Sequence, residues 1–298
     1  MEELESSASL RHSTDELDSN AVNRSTNSAI PTAQSTSNDV TAQGSDHYDT
    51  SHPRRGIALI INQVNFKDLR KRDGSDKDRD CISAALQGIG FEIRTLDDPN
   101  RKELLAMLEK VANEDHSQHD CLVVVVMTHG KENNLLYARD KSYEADRLWE
   151  PFLGNACPSL RGKPKLFFVQ ACRGKQLDQG VRLVNMSIDE NVSVDSVPEP
   201  VSYVIPTMAD LLVMYSTYDG HYSWRNPVNG SWFIQSLSIV LTAIGHREEL
   251  LHILTAVSRR VAFHYQSDVP QNVKMDAMKQ MPCIVSMLTK LLYFPKKS

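Results

Sequence analysis

Apolar segments of strand length recur along the chain, and segments with helical spacing separate them. Near-continuous apolar runs predict strands at 56–61, Leu122–Met127, Leu166–Gln170 and Leu211–Tyr215, and shorter strands are predicted at Phe91–Leu96 and Cys283–Leu288. Helices are predicted over Asp76–Leu86, Arg101–Asn113 with Asn100 as its cap, Leu148–Leu153, Trp232–Ile244 and Glu248–Tyr265. Apolar strands that alternate with helices are typical of a mostly parallel sheet covered on both faces. The sequence therefore predicts an α/β fold.

Two segments depart from this pattern. Residues 1–50 are rich in Ser and Thr and contain one aromatic residue, Tyr48. Such a segment cannot bury enough apolar surface to offset its ordering entropy, so we expect a disordered leader, with order beginning near Arg55. Residues 175–202 are polar and carry Pro198 and Pro200. A stretch of that length without periodicity is either functional or a linker.

Composition narrows the function classes. The chain has 298 residues, is 41% hydrophobic and 24% charged, and has a formal net charge of −5. That charge gives no electrostatic reason to expect nucleic acid or an anionic membrane surface as a partner. The apolar runs are too short to span a bilayer, and the acidic, Ser-rich start does not resemble a signal peptide. Five cysteines without close pair spacing favour a reducing compartment, so we expect a cytoplasmic protein.

A cysteine and a histidine each follow the end of a predicted buried strand. Cys172 comes just after Leu166–Gln170, and His129 comes just after Leu122–Met127. A free cysteine is commonly a buried structural residue, but Gln170 and Arg173 are poor core neighbours. Ligands bind at the carboxyl ends of strands in open α/β sheets, so the two side chains are candidates for a nucleophile and its base. Another histidine pair, His116 and His119, is interpreted as a helix end, so no metal or cofactor is predicted.

Four motifs in order resemble the caspase family. They are Gln170-Ala171-Cys172-Arg173-Gly174, Tyr222-Ser223-Trp224-Arg225-Asn226, Gly230-Ser231-Trp232-Phe233-Ile234-Gln235-Ser236-Leu237 and Pro282-Cys283-Ile284-Val285-Ser286-Met287-Leu288. The similarity extends from about Arg55 to Phe294 and is greatest to short-leader, executioner-type members. It implies a caspase-like three-layer sandwich, in which helices cover both faces of a six-stranded, mostly parallel sheet. It also implies an aspartate-specific cysteine endopeptidase, a zymogen that acts in apoptosis.

The resemblance implies roles for particular residues. Cys172 is expected to be the nucleophile, His129 to assist it and protonate the leaving amine, and the backbone N–H groups of Gly130 and Cys172 to form the oxyanion hole. The aspartate pocket maps to Arg72, Gln170 and Arg225. The remaining substrate-binding positions map to Tyr222, Ser223, Trp224, Asn226 and Trp232. Met275 stands where family members often have an aromatic residue, so the preference of the outer subsites is left open.

The two irregular segments contain candidate processing sites. Asp46-His47-Tyr48-Asp49 precedes Thr50, and Val192-Ser193-Val194-Asp195 precedes Ser196. We expect cleavage after Asp49 to release a propeptide (1–49), and cleavage after Asp195 to separate a large subunit (50–195) from a small one (196–298). The two subunits together form one folded domain. Asp18 is a weaker leader candidate.

The resemblance also implies partners. These are protein substrates with exposed aspartate sites, an upstream initiator caspase, inhibitor-of-apoptosis proteins, and a second copy in a homodimer of large–small pairs. Two alternatives stay open: a catalytically silent caspase-like regulator, and a caspase-fold peptidase of other specificity, such as a metacaspase or legumain. Retention of Cys172 and His129 argues against the first, and the pairing of Arg72 with Arg225 argues against the second.

Overall fold

The computed structural model describes residues 45–181 and 206–297. Its strands are β1 (Ile57–Asn62), β2 (Glu92–Asp97), β3 (Leu122–Met127), β4 (Gly130–Lys131), β5 (Leu135–Tyr137), β6 (Ser142–Glu144), β7 (Lys165–Gln170), β8 (Gly174–Gln176), β9 (Leu211–Tyr215), β10 (Gly220–His221), β11 (Arg225–Asn226), β12 (Gly230–Ser231) and β13 (Cys283–Ser286). Its helices are α1 (Ser75–Gly88), α2 (Arg101–Ala112), α3 (Trp232–Ile244) and α4 (Leu250–His264). Three 3₁₀ turns lie at Ala145–Leu148, Glu150–Phe152 and Pro158–Leu160. None of the helices described is long and apolar enough to cross a membrane.

Six strands form the central sheet, in the order β13-β9-β7-β3-β1-β2. All neighbours are parallel except β13, which runs antiparallel to β9 at one edge. The strands β1, β3, β7 and β9 are buried along their whole length, while β2 at the other edge alternates between exposed and partly buried positions. The predicted α/β class and the mostly parallel sheet are confirmed.

The two faces of the sheet support separate cores because successive strand residues point to opposite sides. In β1, Ala58 and Ile60 pack with α1, α3 and α4, whereas Ile57, Leu59 and Ile61 pack with α2 and the 3₁₀ turns. Each fully buried aliphatic side chain contributes about 1.5–3 kcal/mol relative to exposure. Helices therefore cover both faces of the sheet. The carboxyl ends of its parallel strands all lie at one end of the sheet.

Local capping explains where several helices begin. The Asn100 side chain accepts a hydrogen bond from the Glu103 amide, and the Glu103 carboxylate accepts one from the Asn100 amide, which together form a capping box. Ser231 accepts a hydrogen bond from the Ile234 amide and begins α3. These caps satisfy amide groups that would otherwise lack partners at the first turn.

The predicted helix at Leu148–Leu153 is wrong. The segment forms two separate 3₁₀ turns, Ala145–Leu148 and Glu150–Phe152. Pro151 has no N–H to donate to an earlier carbonyl, so an α-helix cannot continue through it.

Order also begins earlier than predicted. The Tyr48 amide donates to the Leu291 carbonyl at 2.9 Å, and the Leu291 amide donates to the Asp46 carbonyl at 2.7 Å. The Tyr48 ring is buried, and its hydroxyl donates to the Asp210 carboxylate at 2.7 Å. The prediction that order begins near Arg55 is wrong, because one buried aromatic residue holds residues 46–48 against the end of the chain.

Candidate active site

The adjacent strands β3 and β7 bring His129 and Cys172 to the same end of the sheet, where the carboxyl ends of its parallel strands lie. Strands β3 and β7 are paired in parallel, with Met127 opposite Gln170, so each candidate lies two residues past a matched strand end. A Cβ atom built on Gly130 would lie 2.1 Å from the Cys172 carbonyl oxygen. The two loops are therefore packed backbone to backbone, and a side chain at position 130 would push them apart.

The Cys172 thiol contacts the backbone of Ser223. The Ser223 amide lies 3.4 Å from Sγ, and Sγ lies 3.7 Å from the Ser223 carbonyl oxygen. Burial raises the pKa of the thiol above its usual range, and the hydrogen bond from Ser223 and the nearby positive charges lower it by less. Since a buried thiolate is disfavoured, Cys172 is protonated at neutral pH in this state.

The imidazole of His129 is held by a backbone carbonyl. Its Nε2 lies 2.7 Å from the Arg70 carbonyl oxygen, and its ring lies against Phe66 with 4.7 Å between ring centroids. A carbonyl only accepts hydrogen bonds, so Nε2 carries the proton and Nδ1 is left as the basic nitrogen. Burial lowers the pKa of His129, so the ring is neutral at neutral pH.

No hydrogen bond joins His129 to Cys172 in the described residues, because each is engaged elsewhere. The Cys172 amide, in contrast, donates to no described residue, while its neighbours Ala171 and Arg173 both donate. Its N–H is therefore free to bind an oxygen that develops negative charge.

Two arginines lie beside the thiol. Arg72 is 2% exposed and donates to the Gln63 carbonyl at 2.9 Å and to the Ser75 hydroxyl at 2.7 Å. Burial, followed by the charge of Arg225, lowers the pKa of Arg72 to about 9. Burial also lowers the pKa of Arg225, which is half-buried on β11. Both remain cationic at neutral pH, and neither forms an ion pair with a described residue.

A buried carboxylate, Asp78, lies behind the arginines, and sequence reasoning missed it. Both its oxygens accept from the Ser231 amide at 2.9 Å. Burial raises its pKa to about 7, and the hydrogen bonds from Ser231 and then the charges of Arg72 and Arg225 oppose that rise. Gly230 is required beside it: its φ is +94°, and a Cβ there would lie 2.2 Å from an Asp78 carboxylate oxygen. The sequence signal for Asp78 was its place on the buried face of α1.

Gln170 and Ser223 are linked in this state. The Gln170 amide nitrogen donates to the Ser223 hydroxyl at 2.9 Å, which in turn lies 2.9 Å from the Ser216 hydroxyl. The side-chain amide oxygen of Gln170 is buried and has no hydrogen-bond partner among the described residues. Both residues are buried, and the backbone of Ser223 contacts the thiol, so this linked pair lies beside Cys172.

A row of aromatic rings continues from Cys172. Tyr222 and Trp224 meet edge to face at 5.0 Å, Trp224 and Trp232 stack at 5.6 Å, and Trp232 stacks on Tyr265 at 5.4 Å. Met275 packs against this group at partial exposure. Tyr265, which lies just past α4 and outside the motifs, was not predicted from the sequence.

Asn226, a predicted substrate-binding residue, lies at the end of β11. Its side chain is exposed, and the side-chain oxygen Oδ1 accepts from the Val228 and Asn229 amides at 2.8 and 2.9 Å. The side chain therefore stabilises the turn between β11 and β12.

Of the two candidate processing sites, only Asp49 lies within the described residues. Asp195 lies outside the described residues. Asp49 is exposed, and its carboxylate accepts from the Ser51 amide at 2.9 Å and from the Ser51 hydroxyl at 2.6 Å. The expectation of unfolded backbone at the Asp49 site is wrong, because the Tyr48 ring beside it is buried.

His116 and His119, the pair with metal-like spacing, are buried, with their Nδ1 atoms 3.1 Å apart. In the described ranges no group of three or more His, Cys, Asp or Glu could hold a metal ion. All five cysteines fall within those ranges and are free.

Comparison with known proteins agrees with this geometry. The family profile of the caspase domain, Peptidase_C14, matches residues 55–293. The chain belongs to the caspase family. It is 42% identical to Caspase-1 of Spodoptera frugiperda over 253 residues, which cover 84% of this chain and 82% of that protein. It is 40% identical to Caspase-3 of Mus musculus over 250 residues, covering 83% and 86% of the two chains.

The solved structures agree as well. The crystal structure of Caspase-1 from Spodoptera frugiperda matches with a TM-score of 0.79 and 39% identity, and the match covers 88% of this chain and 98% of that one. This caspase is therefore an aspartate-specific cysteine endopeptidase of apoptosis with the family's α/β fold, and like caspases in general it is made as a zymogen.

Proposed function

We propose that Cys172 and His129 perform the peptide cleavage. The observation that carries the proposal is their position at matched ends of paired strands, beside two cationic arginines without ion-pair partners. The thiol passes its proton to His129 Nδ1, and Sγ attacks the carbonyl carbon of the substrate aspartate. The C–N bond then breaks as His129 returns that proton to the leaving amine. Water hydrolyses the thioester, with His129 acting as base.

The negative charge on the oxygen of the tetrahedral intermediate must be stabilised by hydrogen-bond donors. The N–H groups of Gly130 and Cys172 supply them, and the free amide of Cys172 supports this assignment. Loss of one such donor costs about 2.7–4 kcal/mol of transition-state stabilisation.

The resting pair is neutral, with both side chains engaged elsewhere. Substrate binding must therefore displace the contact between Cys172 and Ser223 before the thiol faces His129. This requirement keeps the unoccupied enzyme from carrying a permanent thiolate.

Arg72, Gln170 and Arg225 form the pocket for the aspartate side chain. A carboxylate matches the planar donors of guanidinium groups, and it neutralises two cations that would otherwise face a desolvated cavity. An amide or an apolar side chain leaves those charges unpaired, so the pocket rejects it.

The aromatic row forms the subsites for residues before the aspartate. Tyr222 and Trp224 border an apolar subsite that Met275 closes, and Trp232 supports Trp224 from behind. The Ser223 backbone lies where a substrate backbone would pass. Met275 is flexible and polarisable, so this subsite accepts several apolar shapes. Asn226 reaches the residues further from the cut only after its turn contacts loosen.

Processing separates the subunits after Asp195, within the polar linker. Cleavage after Asp49 would release residues 1–49, but it would also remove Tyr48 from its buried position against Asp210. That site must first be released from the fold, so its cleavage is expected to lag behind that of the linker. Timed mass spectrometry of the maturing chains tests the order, and a chain starting at Thr50 before any cut after Asp195 would contradict it.

Assembly and location complete the proposal. Strand β13 is an edge strand, and Val285 on it is 44% exposed, which suits pairing with a second copy into a homodimer of large–small pairs. Five free cysteines suit the cytoplasm. The partners are protein substrates with exposed aspartates, an initiator caspase as activator and inhibitor-of-apoptosis proteins as regulators.

The test uses the processed enzyme and three reporter peptides that end in Asp, Asn or Arg. We expect the Asp peptide to be cleaved much faster than the other two, and its cleavage to be lost in Cys172→Ala. Faster cleavage of the Asn or Arg peptide would favour a peptidase of other specificity. Absence of all cleavage would favour a silent regulator.

A further inference from the structure

A cavity of about 370 Å³ lies beside the segment 66–70, which packs against His129. Phe66, Leu69 and Tyr137 supply its apolar surface. Leu69 is 40% exposed, and Phe66 and Tyr137 are half-buried. The apolar surface of the cavity is therefore accessible to solvent, while two of its three side chains are partly packed against the fold. Nothing in the cleavage step described above uses it.

The cavity is joined to the catalytic histidine by three contacts. The Phe66 ring packs on the His129 ring at 4.7 Å. The Tyr137 amide donates to the His129 carbonyl at 3.1 Å. The Arg70 carbonyl that fixes His129 belongs to the residue next to Leu69. Movement of the cavity wall is therefore coupled to the position of the imidazole.

The chemistry of cleavage says which part of a substrate passes here. The side chains assigned to residues before the cut come from 222–232 and 275, and none of those residues lines this cavity. His129 protonates the leaving amine, so the segment that follows the cut aspartate starts at the imidazole. One residue of extended chain spans about 3.3 Å, so the second residue after the cut comes within reach of the Phe66 ring, whose centroid lies 4.7 Å from that of the imidazole.

We propose that this cavity is a subsite for an apolar side chain at the second position after the cut aspartate. The inference rests on the proposed function, since it requires His129 to face the leaving segment. Its occupant is the carboxyl-terminal half of a protein substrate.

The cavity is lined by charged side chains of both signs. Arg101, Arg139 and Lys141 are cationic, Asp68 and Asp140 are acidic, and the Asp140 carboxylate already accepts from the Arg101 amide at 2.8 Å. Apolar contact is thus the main source of selectivity. The chain's own linker fits this preference, since Asp195 is followed by Ser196 and Val197.

The experiment uses internally quenched peptides with the linker sequence Val-Ser-Val-Asp-Ser-X-Pro-Glu, where X is Val or Asn. A coumarin peptide, Val-Ser-Val-Asp-coumarin, has no residue after the aspartate and reports the proposed function separately. For the processed wild-type enzyme we expect kcat/KM to be about 10-fold higher for X = Val than for X = Asn. In Leu69→Asn we expect this ratio to fall toward one.

The matched control is Leu251→Asn, a leucine of similar exposure (36%) on α4 outside the site, and it should keep the wild-type ratio. A wild-type ratio near one overturns the proposal whether or not the Leu69 variant folds. A ratio that Leu69→Asn leaves intact, or that Leu251→Asn lowers equally, also overturns it. Failure of wild type on the coumarin peptide would instead contradict the proposed function.

Discussion

Replacement of Arg225 by alanine tests the aspartate pocket most quantitatively. Burial lowers the pKa of Arg225, so its charge is already partly desolvated, and no described carboxylate pairs with it. Removal of one partner from a desolvated charge pair costs about 3–5 kcal/mol. Arg72 remains to hold the substrate carboxylate, so the loss in free energy should lie in the lower part of that range. Since 1.36 kcal/mol is a factor of ten in rate, kcat/KM for an Asp peptide should fall by about 10²- to 10³-fold.

An asparagine peptide provides the internal comparison. Hydrogen bonds to a charged group are worth about 1.5–3 kcal/mol and neutral ones about 0.5–1.5 kcal/mol, so the Asn peptide should lose less. The ratio of kcat/KM for Asp over Asn should therefore drop at least about tenfold. Initial rates on two coumarin peptides that differ only in this residue measure both effects.

Arg94→Ala is the matched control. Arg94 is partly buried (31% side-chain exposure) on the distant edge strand β2 and pairs with Glu92 and Glu114. Its loss should leave both rates near those of wild type. A fall of less than about fivefold in Arg225→Ala, or an equal loss for both peptides, would refute the electrostatic reasoning.

Three further predictions follow from local geometry. Gly230→Ala should lower the free energy of unfolding by at least about 1–2 kcal/mol in urea titration, because its φ is positive and a Cβ would meet Asp78; unchanged stability would contradict this. Alkylation of Cys172 by iodoacetamide, followed by mass spectrometry, should accelerate as the pH rises through the alkaline range, because burial raises the pKa of the thiol above its ordinary value; a rate that does not change with pH would indicate a resting thiolate. Tyr48→Phe should destabilise the protein by about 1–3 kcal/mol, since the buried Asp210 loses a donor; calorimetry showing no loss of stability would argue against this packing.

The placement of Cys172 and His129 was predictable because it depends on strand ends. Apolar runs that stop at Met127 and Gln170 are visible in the sequence, and parallel pairing then brings the following residues to one edge. The α2 boundary was similarly visible, since Asn100 and Glu103 form a local capping box that needs no tertiary partner.

What sequence reasoning missed depends on contacts distant along the chain. Asp78 acquires its role only because α1 places it against the Ser231 amide, 153 residues away. Tyr48 is held in its buried position by Asp210, which lies 162 residues away. The composition of residues 1–50 contains no sign of that partner, so it predicted disorder. Tyr265 joins the aromatic row through the packing of α4, which no motif records.

Covalent trapping tests the central claim most directly. The processed enzyme is incubated with a peptidyl fluoromethyl ketone that ends in Asp and, separately, with one that ends in Asn. Intact mass and peptide mapping then locate the adduct. We predict a single adduct on Cys172 with the Asp probe, little labelling with the Asn probe, and loss of this selectivity in Arg225→Ala. An adduct on another cysteine, or equal labelling by both probes, would contradict the account.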